Sequence, residues 1–444
     1  MDVLEKALRM LEKYPLCDHC LGRQFALLGH GLENNRRGEA IKLTLVMQAS
    51  SASAEKKLEG TKALKVLATN GFSSLAAETL RHLKKRLAKA EPKPCFLCDD
   101  HFQHVDDLVE RILQKTLNYE YSTFLIGIEM PVSMSEREDE FKASLDVRSS
   151  ESIKHEFGRV IGKQIETKTG KTVDFRKPDL MIIINPFNDR IHLQVNPLFV
   201  AGRYRKLVRD IPQSRWFCSD CRGRGCQKCG GTGLMYPTSV EALVSKPVLE
   251  AAQGSESAFH ASGREDIDAR MLGTGRPFVV EISRPKKRSI NLKQVEEQIN
   301  AGAKDKVEIS RLRFTTRDVV RKLKKAENAQ KEYRALILFE NEVTASDMLI
   351  LEERLNGVVI KQQTPLRVVH RRADLTRERY IYKLKVKKIS PKEALMEVLC
   401  QGGLYVKELV SGDEGRTVPS VAELLKNPAK ILKLDVLKVI MEDQ

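Results

Sequence analysis

Hydrophobic positions change their period several times along the chain, and each change marks an element. The opening stretch MDVLEKALRMLEKY reads as an amphipathic helix, and the helical pattern, rich in Leu, Ala and Lys, continues from Cys20 to Cys95. SESIKHEFGRVIGKQIETKTG spaces Ile153, Phe157, Val160, Ile161 and Ile165 at the helical period and stops at Gly170, a C-cap signal. PDLMIIINPFNDRIHLQV then reads as strand, turn, strand, with a first strand apolar enough to be buried on both faces. Beyond MYPTSVEALVS, long strand-like runs alternate with basic helical ones, so a last domain boundary is expected near Thr238. At 444 residues the chain exceeds what one hydrophobic core organises, and the expected class is α+β with several domains.

Composition narrows the partners. Hydrophobic residues make up 41% of the chain, enough for real cores, and the net charge is +16. In a soluble chain that excess points to a polyanion, most often nucleic acid, over the plainer reading of a basic surface kept for solubility. No apolar run approaches the roughly 20 residues of a membrane span, and the first helix carries carboxylates where a signal peptide would not, so a cytoplasmic protein without membrane contact is expected.

Nine cysteines fall as four CxxC pairs plus Cys400, a pattern for metal in a reducing compartment. CDHC (Cys17, Cys20) and CFLC (Cys95, Cys98) are far apart in sequence yet can complete one tetrahedral zinc site, because zinc sets local ligand geometry and leaves the intervening chain free. His19, His101 and His104 are alternative ligands. CSDCRGRGCQKCGGTG supplies Cys218, Cys221, Cys226 and Cys229 as CxxC-x4-CxxC, with glycines that let the backbone fold around one ion; a redox-sensitive hinge is the metal-free alternative. Cys400, after the apolar EALMEVL, reads as a buried small hydrophobe.

Between the cysteine modules, GRYRKLVR sets Arg203, Arg205, Lys206 and Arg209 around Tyr204, a pattern suited to phosphate contact with base or ribose packing, or to a solvated face. The helix, the two strands and this PLFVAGRYRKL tail resemble the THUMP domain, an RNA-binding module of tRNA-modifying enzymes, over roughly residues 70 to 205. The resemblance implies a domain that grips tRNA and leaves chemistry to another part of the chain.

GREDIDARMLG, KEYRALILF and QGGLYVKELV, in that order, resemble the motifs of pseudouridine synthases: a G-R-x-D turn with the catalytic aspartate, K-x-Y-x-A-L with a tyrosine that stacks on the target base, and G-x-Y-[IV]-[KR]-x-L with a basic partner. These motifs map onto Asp266, Tyr333 and Lys407. The complete layout is similar to the archaeal/eukaryotic THUMP-containing family acting on uridines 54 and 55 of the tRNA TΨC arm. That resemblance implies an isomerase that binds tRNA as a monomer and needs no organic cofactor, with zinc in a structural role. Breaking the N1–C1′ bond and rejoining uracil through C5 calls for an ionised carboxylate, which would attack C6, act at C1′ or remove a sugar proton. The base must first be flipped from its stack, and Tyr333 would restore the lost stacking with its ring face, while its hydroxyl could aid proton removal from C5. A cation near the carboxylate keeps it charged in a buried site, the role expected of Lys407. Tyr405 shares its face if that segment is a strand, where it lines the pocket or simply packs. Asp268 is the rival nucleophile, or else it orients the turn or bonds Arg270. Glu265 and Arg264 are expected to hold the loop, with Arg264 in reach of a phosphate. Arg416 lines an RNA channel or caps a turn.

The basic runs RPKKR (Arg284 to Arg288) and RDVVRKLKK (Arg317 to Lys325) are candidate phosphate grips, the first as a mobile loop, or else solvated faces. The expected division is 1–69 helical with the first knuckle, 70–205 THUMP-like with the second, 206–237 a zinc linker, and 238–444 a catalytic domain on a central mixed or antiparallel sheet. A THUMP-bearing methyltransferase or thiolase would need a glycine-rich nucleotide loop after a strand, and GRGCQKCGGTG and GTGRPF stand in the wrong context. A catalytically silent RNA-binding module remains as the non-enzymatic alternative.

Overall fold

The computed structural model describes residues 2–87, 93–325, 329–370 and 372–440. Two compact units follow one another, Met1–Asn196 and Pro197–Gln444.

In the first unit, Asp2 accepts a hydrogen bond from the Glu5 amide to cap helix Val3–Lys13, and Ser73 caps Ser74–His82 in the same way. Between them, the short helix Asp18–Gly22 crosses Asn34–Ala54 backbone against backbone. A Cβ on Gly22 would lie 1.8 Å from the Asn34 carbonyl oxygen, and one on Gly38 2.0 Å from that of Asp18, so only glycine admits the crossing. Helices Val105–Thr116 and Ile153–Thr169 then accompany a four-stranded sheet of β1 (Thr123–Ile128), β2 (Thr172–Val173), β3 (Leu180–Asn185) and β4 (Arg190–Val195), in the order β2-β1-β3-β4. β1 runs parallel to β2 and β3, and β4 is antiparallel to β3. Gly170 ends the second helix with φ +66°, as its sequence predicts.

Two expectations fail in this unit. β3 is buried on one face alone: Leu180, Ile182 and Ile184 are inside, whereas Met181 and Ile183 are half-buried. The helical segment and the THUMP-like segment are also not separate bodies. Leu11, Cys20, Leu64, Cys95, Val109, Phe157 and Ile182 belong to one continuous core.

The second unit is built on one large sheet. Its strands are β5 (Leu198–Lys206), β6 (Glu256–Ala261), β7 (Ala269–Ser283), β8 (Val307–Thr315), β9 (Gln330–Phe339), β10 (Val359–Gln363), β11 (Thr376–Ser390), β12 (Glu393–Cys400), β13 (Thr417–Val418) and β14 (Ala429–Ile440). The order is β13-β10-β11-β12-β9-β14-β7-β5-β8, with β6 also on β7. Every pairing is antiparallel except β14 with β7, which is parallel. The expected mixed, mainly antiparallel central sheet is present. Two cores meet at the parallel seam, one around Ile337, Leu351, Ile381 and Met396, the other around Val200, Val244, Val280 and Ile309; Tyr333 packs against both.

β5 corrects the expected boundaries at 205 and 238. Instead of ending the THUMP-like domain, LFVAGRYRK forms an interior strand of this sheet, one from its edge, hydrogen-bonded to β7 on one side and β8 on the other. Its uniformly apolar start reflects cover on both faces: Leu198 and Val200 join one core, and Phe199 and Ala201 pack with Val320 and Leu323 of helix Arg317–Lys325 on the other. Among the described residues no helix is long and apolar enough to cross a membrane.

Candidate active site

The loop from Ser262 to Asp268 leaves β6 and enters β7 at the parallel seam. Gly263 begins it with φ +75°, a conformation that glycine adopts without strain. Glu265 turns inward, where its carboxylate accepts from Arg276 Nε at 2.9 Å and from the Tyr204 hydroxyl at 2.9 and 3.0 Å. Arg276 Nη1 also donates to the Ser262 carbonyl at 2.7 Å, and Gln213 Nε2 donates to the Tyr204 hydroxyl and to the Gly263 carbonyl. Burial, reinforced by Glu265, pushes the Tyr204 phenol well above its usual value, so it stays a neutral donor. Beneath the loop, Lys206 Nζ donates to the carbonyls of Ile211, Asp266 and Ile267 at 2.8, 3.2 and 3.0 Å. A buried charged network therefore holds the loop's backbone and aims Asp266 outward.

Asp266 is half-exposed, with Lys407 Nζ 3.3 Å and Arg367 Nη2 3.4 Å from its Oδ2. Lys407 reaches it from helix Val406–Ser411 and donates also to Asp268 at 2.7 and 2.9 Å. Burial pulls the Asp268 carboxyl upward, but the Lys407 ammonium outweighs it and holds the pKa below the ordinary value. Arg367, on the single turn Leu366–Val369, is oriented by Glu408, which accepts from its Nε at 2.6 Å. Asp266, Tyr333, Lys407, Arg264 and Tyr405 all line one cavity of about 550 Å³. That volume is in the range that encloses a small ligand, large enough for an extruded nucleoside. Arg372, Arg377 and Arg379 line it as well, giving it a strongly positive wall.

Asp266, Tyr333, Lys407 and Tyr405 thus stand around one cavity, while several details differ from the sequence expectation. Tyr405 sits at the N-cap of a helix, not on a strand, with its hydroxyl accepting from Arg372 Nη1 at 2.8 Å. Asp268 pairs with Lys407, and Arg270 pairs instead with Asp435. Arg264 is exposed beside the Trp216 ring, 5.8 Å from its centroid. The basic tail is the main correction. Lys206 and Tyr204 are fully buried and committed to the loop, Arg203 donates to the carbonyls of Thr274, Gly275 and Val439, and Arg205 pairs with Glu308 on β8. Alternation along the strand turns Tyr204 and Lys206 inward, while Arg203 and Arg205 stay partly exposed on the other face and line a separate cavity with Arg311.

Arg416 is held by the Thr364 carbonyl and Asp374 in its turn. RPKKR is pinned by the Lys286 and Lys287 amides, which donate to the Ala252 carbonyl, whereas Leu323 and Lys324 of the second basic run reach the cavity wall. Arg276 and Arg367 were missed. The first lies in GTGRPF, which had been weighed only as a glycine loop, and the second carries no local motif.

The cysteines form two groups, each with sulfurs within 4.8 Å of one another: Cys17, Cys20, Cys95 and Cys98 in the first unit, and Cys218, Cys221, Cys226 and Cys229 in the second. Separations of 3.7 Å for Cys17–Cys98 and 3.7–3.8 Å in the second group match the edge of a tetrahedron around an ion with metal–sulfur bonds of about 2.3 Å. Amides of Cys20, Gly225 and Gly233 point at sulfur, as thiolates require. Arg23, fully buried near Cys20, leaves its Nε and Nη2 without hydrogen-bond partners, which suits a cation facing a negatively charged thiolate cluster. Both donor sets can hold a soft divalent metal. His19 stands outside the cysteine group, and its Nδ1 lies 2.7 Å from Glu156. Cys400 is fully buried in the core, as expected.

A family model described as "Pus10, C-terminal" matches residues 199–440, and one described as "Pus10 THUMP domain, archaeal" matches residues 108–185. A tRNA pseudouridine synthase Pus10 of Methanothrix thermoacetophila is 40% identical over 99% of this chain and 94% of that protein. Its counterpart in Methanocaldococcus jannaschii is 42% identical over 97% of this chain and 93% of its own length. A solved Cbf5-Nop10-Gar1 complex matches only loosely, with a TM-score of 0.30 and 17% identity over 46% of each chain. By full-length similarity, with an aspartate, a tyrosine and a lysine around one basic cavity, this chain belongs to the Pus10 family of tRNA pseudouridine synthases.

Proposed function

We propose that the chain isomerises uridine to pseudouridine at positions 54 and 55 of the tRNA TΨC arm, with Asp266 as the carboxylate that acts while the N1–C1′ bond is broken. The observation that carries this reading is Asp266 itself, on a rigidly held loop, with two cations within 3.4 Å and Tyr333 in the same cavity. Lys407 and Arg367 match the negative charge of Asp266 as the base enters and water leaves. Tyr333 supplies the stacking face, and Tyr405 and Arg264 stand at the wall where the nucleotide's ring and phosphate would lie. The positive wall of Arg372, Arg377 and Arg379 supplies phosphate contact in place of the tail of β5.

Each four-cysteine group would hold one zinc: Cys17, Cys20, Cys95 and Cys98 in one, Cys218, Cys221, Cys226 and Cys229 in the other. Bound zinc crosslinks chain segments and takes no part in the reaction. The protein acts on tRNA as a monomer in the cytoplasm, without an organic cofactor. Tritium release from tRNA carrying [5-³H]uridine tests the activity, and transcripts with cytidine at position 54 or 55 assign the target. Tight tRNA binding with no tritium release would favour a binding module instead.

A further inference from the structure

Lys331 stands two residues before Tyr333 on β9, so both side chains leave the same face of the strand, and both line the cavity. Its surroundings can be named element by element. β12 opposes it with Cys400 and β14 with the uncharged Val439; Arg276 faces it from β7 and Glu265 from the loop. Arg276 and Glu265 are already paired with each other. Among the described residues Lys331 Nζ has no hydrogen bond or ion pair, and a Cβ on Gly263 would come within 3.2 Å of it. Burial, then the Arg276 cation, bring the ammonium down to about 8 against the pull of Cys400 and Glu265. The same burial pushes the Tyr333 phenol above its usual value, which makes that hydroxyl a poor base near neutrality.

Resting on the reading of the site given above, we propose that Lys331 is a further catalytic residue: its neutral amine removes the C5 proton of the flipped uracil once C5 has joined the sugar. The atoms balance. N1–C1′ breaks and C5–C1′ forms, the C5 proton passes to Nζ, the C5–H electron pair returns to the ring, and the resulting ammonium protonates N1. Tyr333 is left to stack. A strand that sets an amine two residues from the stacking ring keeps the base beside the ring atom that loses its proton.

The test uses the full chain and single turnovers on tRNA with uridine, [5-²H]uridine or 5-fluorouridine at the target position. Lys331→Met and Lys331→Arg should both slow pseudouridine formation by roughly 10²–10⁴-fold, the range of general-base catalysis. A primary deuterium effect should appear in Lys331→Met, because proton loss becomes limiting. Its conversion of 5-fluorouridine, which has no C5 proton to remove, should proceed at the wild-type rate. As pH falls below about 8 the amine keeps its proton and proton loss becomes limiting in the wild type too, so its rate should decline toward acid with a deuterium effect of its own, and Lys331→Met should lose that decline. Unchanged tRNA affinity in both variants would exclude misfolding as the cause. Full activity in Lys331→Arg, no deuterium effect in Lys331→Met, or equal slowing on 5-fluorouridine would each overturn the proposal. A wild-type chain that forms no pseudouridine would bring down the reading of the site and this proposal together; an active wild type with unaffected variants would bring down this proposal alone.

Discussion

Two adjacent carboxylates in GREDIDARMLG have opposite surroundings, and that difference carries the first prediction. Glu265 and Arg276 have side-chain exposures of 0% and 1%, so removing one charge strands the other in the interior. Glu265→Gln should destabilise the second unit by about 3–5 kcal/mol in denaturant unfolding. Asp266 is 39% exposed, and Asp266→Asn should change stability by less than about 1 kcal/mol. The same substitution should abolish tritium release and leave tRNA affinity nearly intact. Asp268 supports a prediction in pH. Its folded pKa lies below the ordinary value, so its pairing stabilises the protein above about pH 4 and the contribution fades as pH falls through the folded pKa. In Lys407→Met the Asp268 carboxyl should titrate at higher pH, read by NMR, and this acid-dependent contribution to stability should disappear. An acid limb unmoved by Lys407→Met would show that the pair contributes nothing.

At the level of elements, the parallel seam between β14 and β7 matters most. Asp435 on β14 accepts from Arg270 at 2.9 and 2.8 Å and from Arg209 at 2.7 Å, while Arg209 also donates to the Asp268 carbonyl at 2.7 Å. One carboxylate thus ties both strands to the end of the loop from Ser262 to Asp268. Asp435→Asn should cost about 1–3 kcal/mol. It should also lower kcat more than it raises KM, because the loop is displaced while the wall of Arg372, Arg377 and Arg379 is untouched; a change confined to KM would contradict that role. Element type was harder to read than motif position. QGGLYVKELV has the apolar alternation of a strand, yet after β12 the chain turns into a six-residue helix, and this turn points Lys407 at the loop. Tertiary contact overrode local pattern there.

For the whole molecule, the cysteine groups and the unit boundary make separate predictions. Cys20, Cys95 and Cys98 lie at 0% exposure inside the core of the first unit, whereas Cys226 and Cys229 are only half-buried in a glycine-rich excursion between β5 and helix Val240–Ala252. Removing metal with a chelator, or Cys95→Ser, should therefore unfold the first unit, and Cys226→Ser should loosen mainly residues 217–234; hydrogen exchange would separate the two. Chain cut after Asn196 should leave a second unit that unfolds cooperatively. A piece beginning at Thr238 lacks β5, and with it the strand between β7 and β8, and should not fold.

What was legible in advance follows from how local each signal is. Cysteine knuckles, capped helices and short loop motifs are written in neighbouring residues, because thiol spacing, helix caps and turn geometry are local requirements. For that reason the family and the two cysteine sets could be read from the amino-acid sequence alone. Strand partners are not local. GRYRKLVR looks the same on paper whether it faces RNA or runs inside a sheet, and only the pairing of β5 with β7 and β8 turned Lys206 and Tyr204 inward to hold the loop from Ser262 to Asp268. Arg367 and Arg276 were invisible for the same reason: their work depends on residues far away in sequence, Glu408 and Asp266 for one and Glu265 across a loop for the other, and such convergence exists only once the chain is packed.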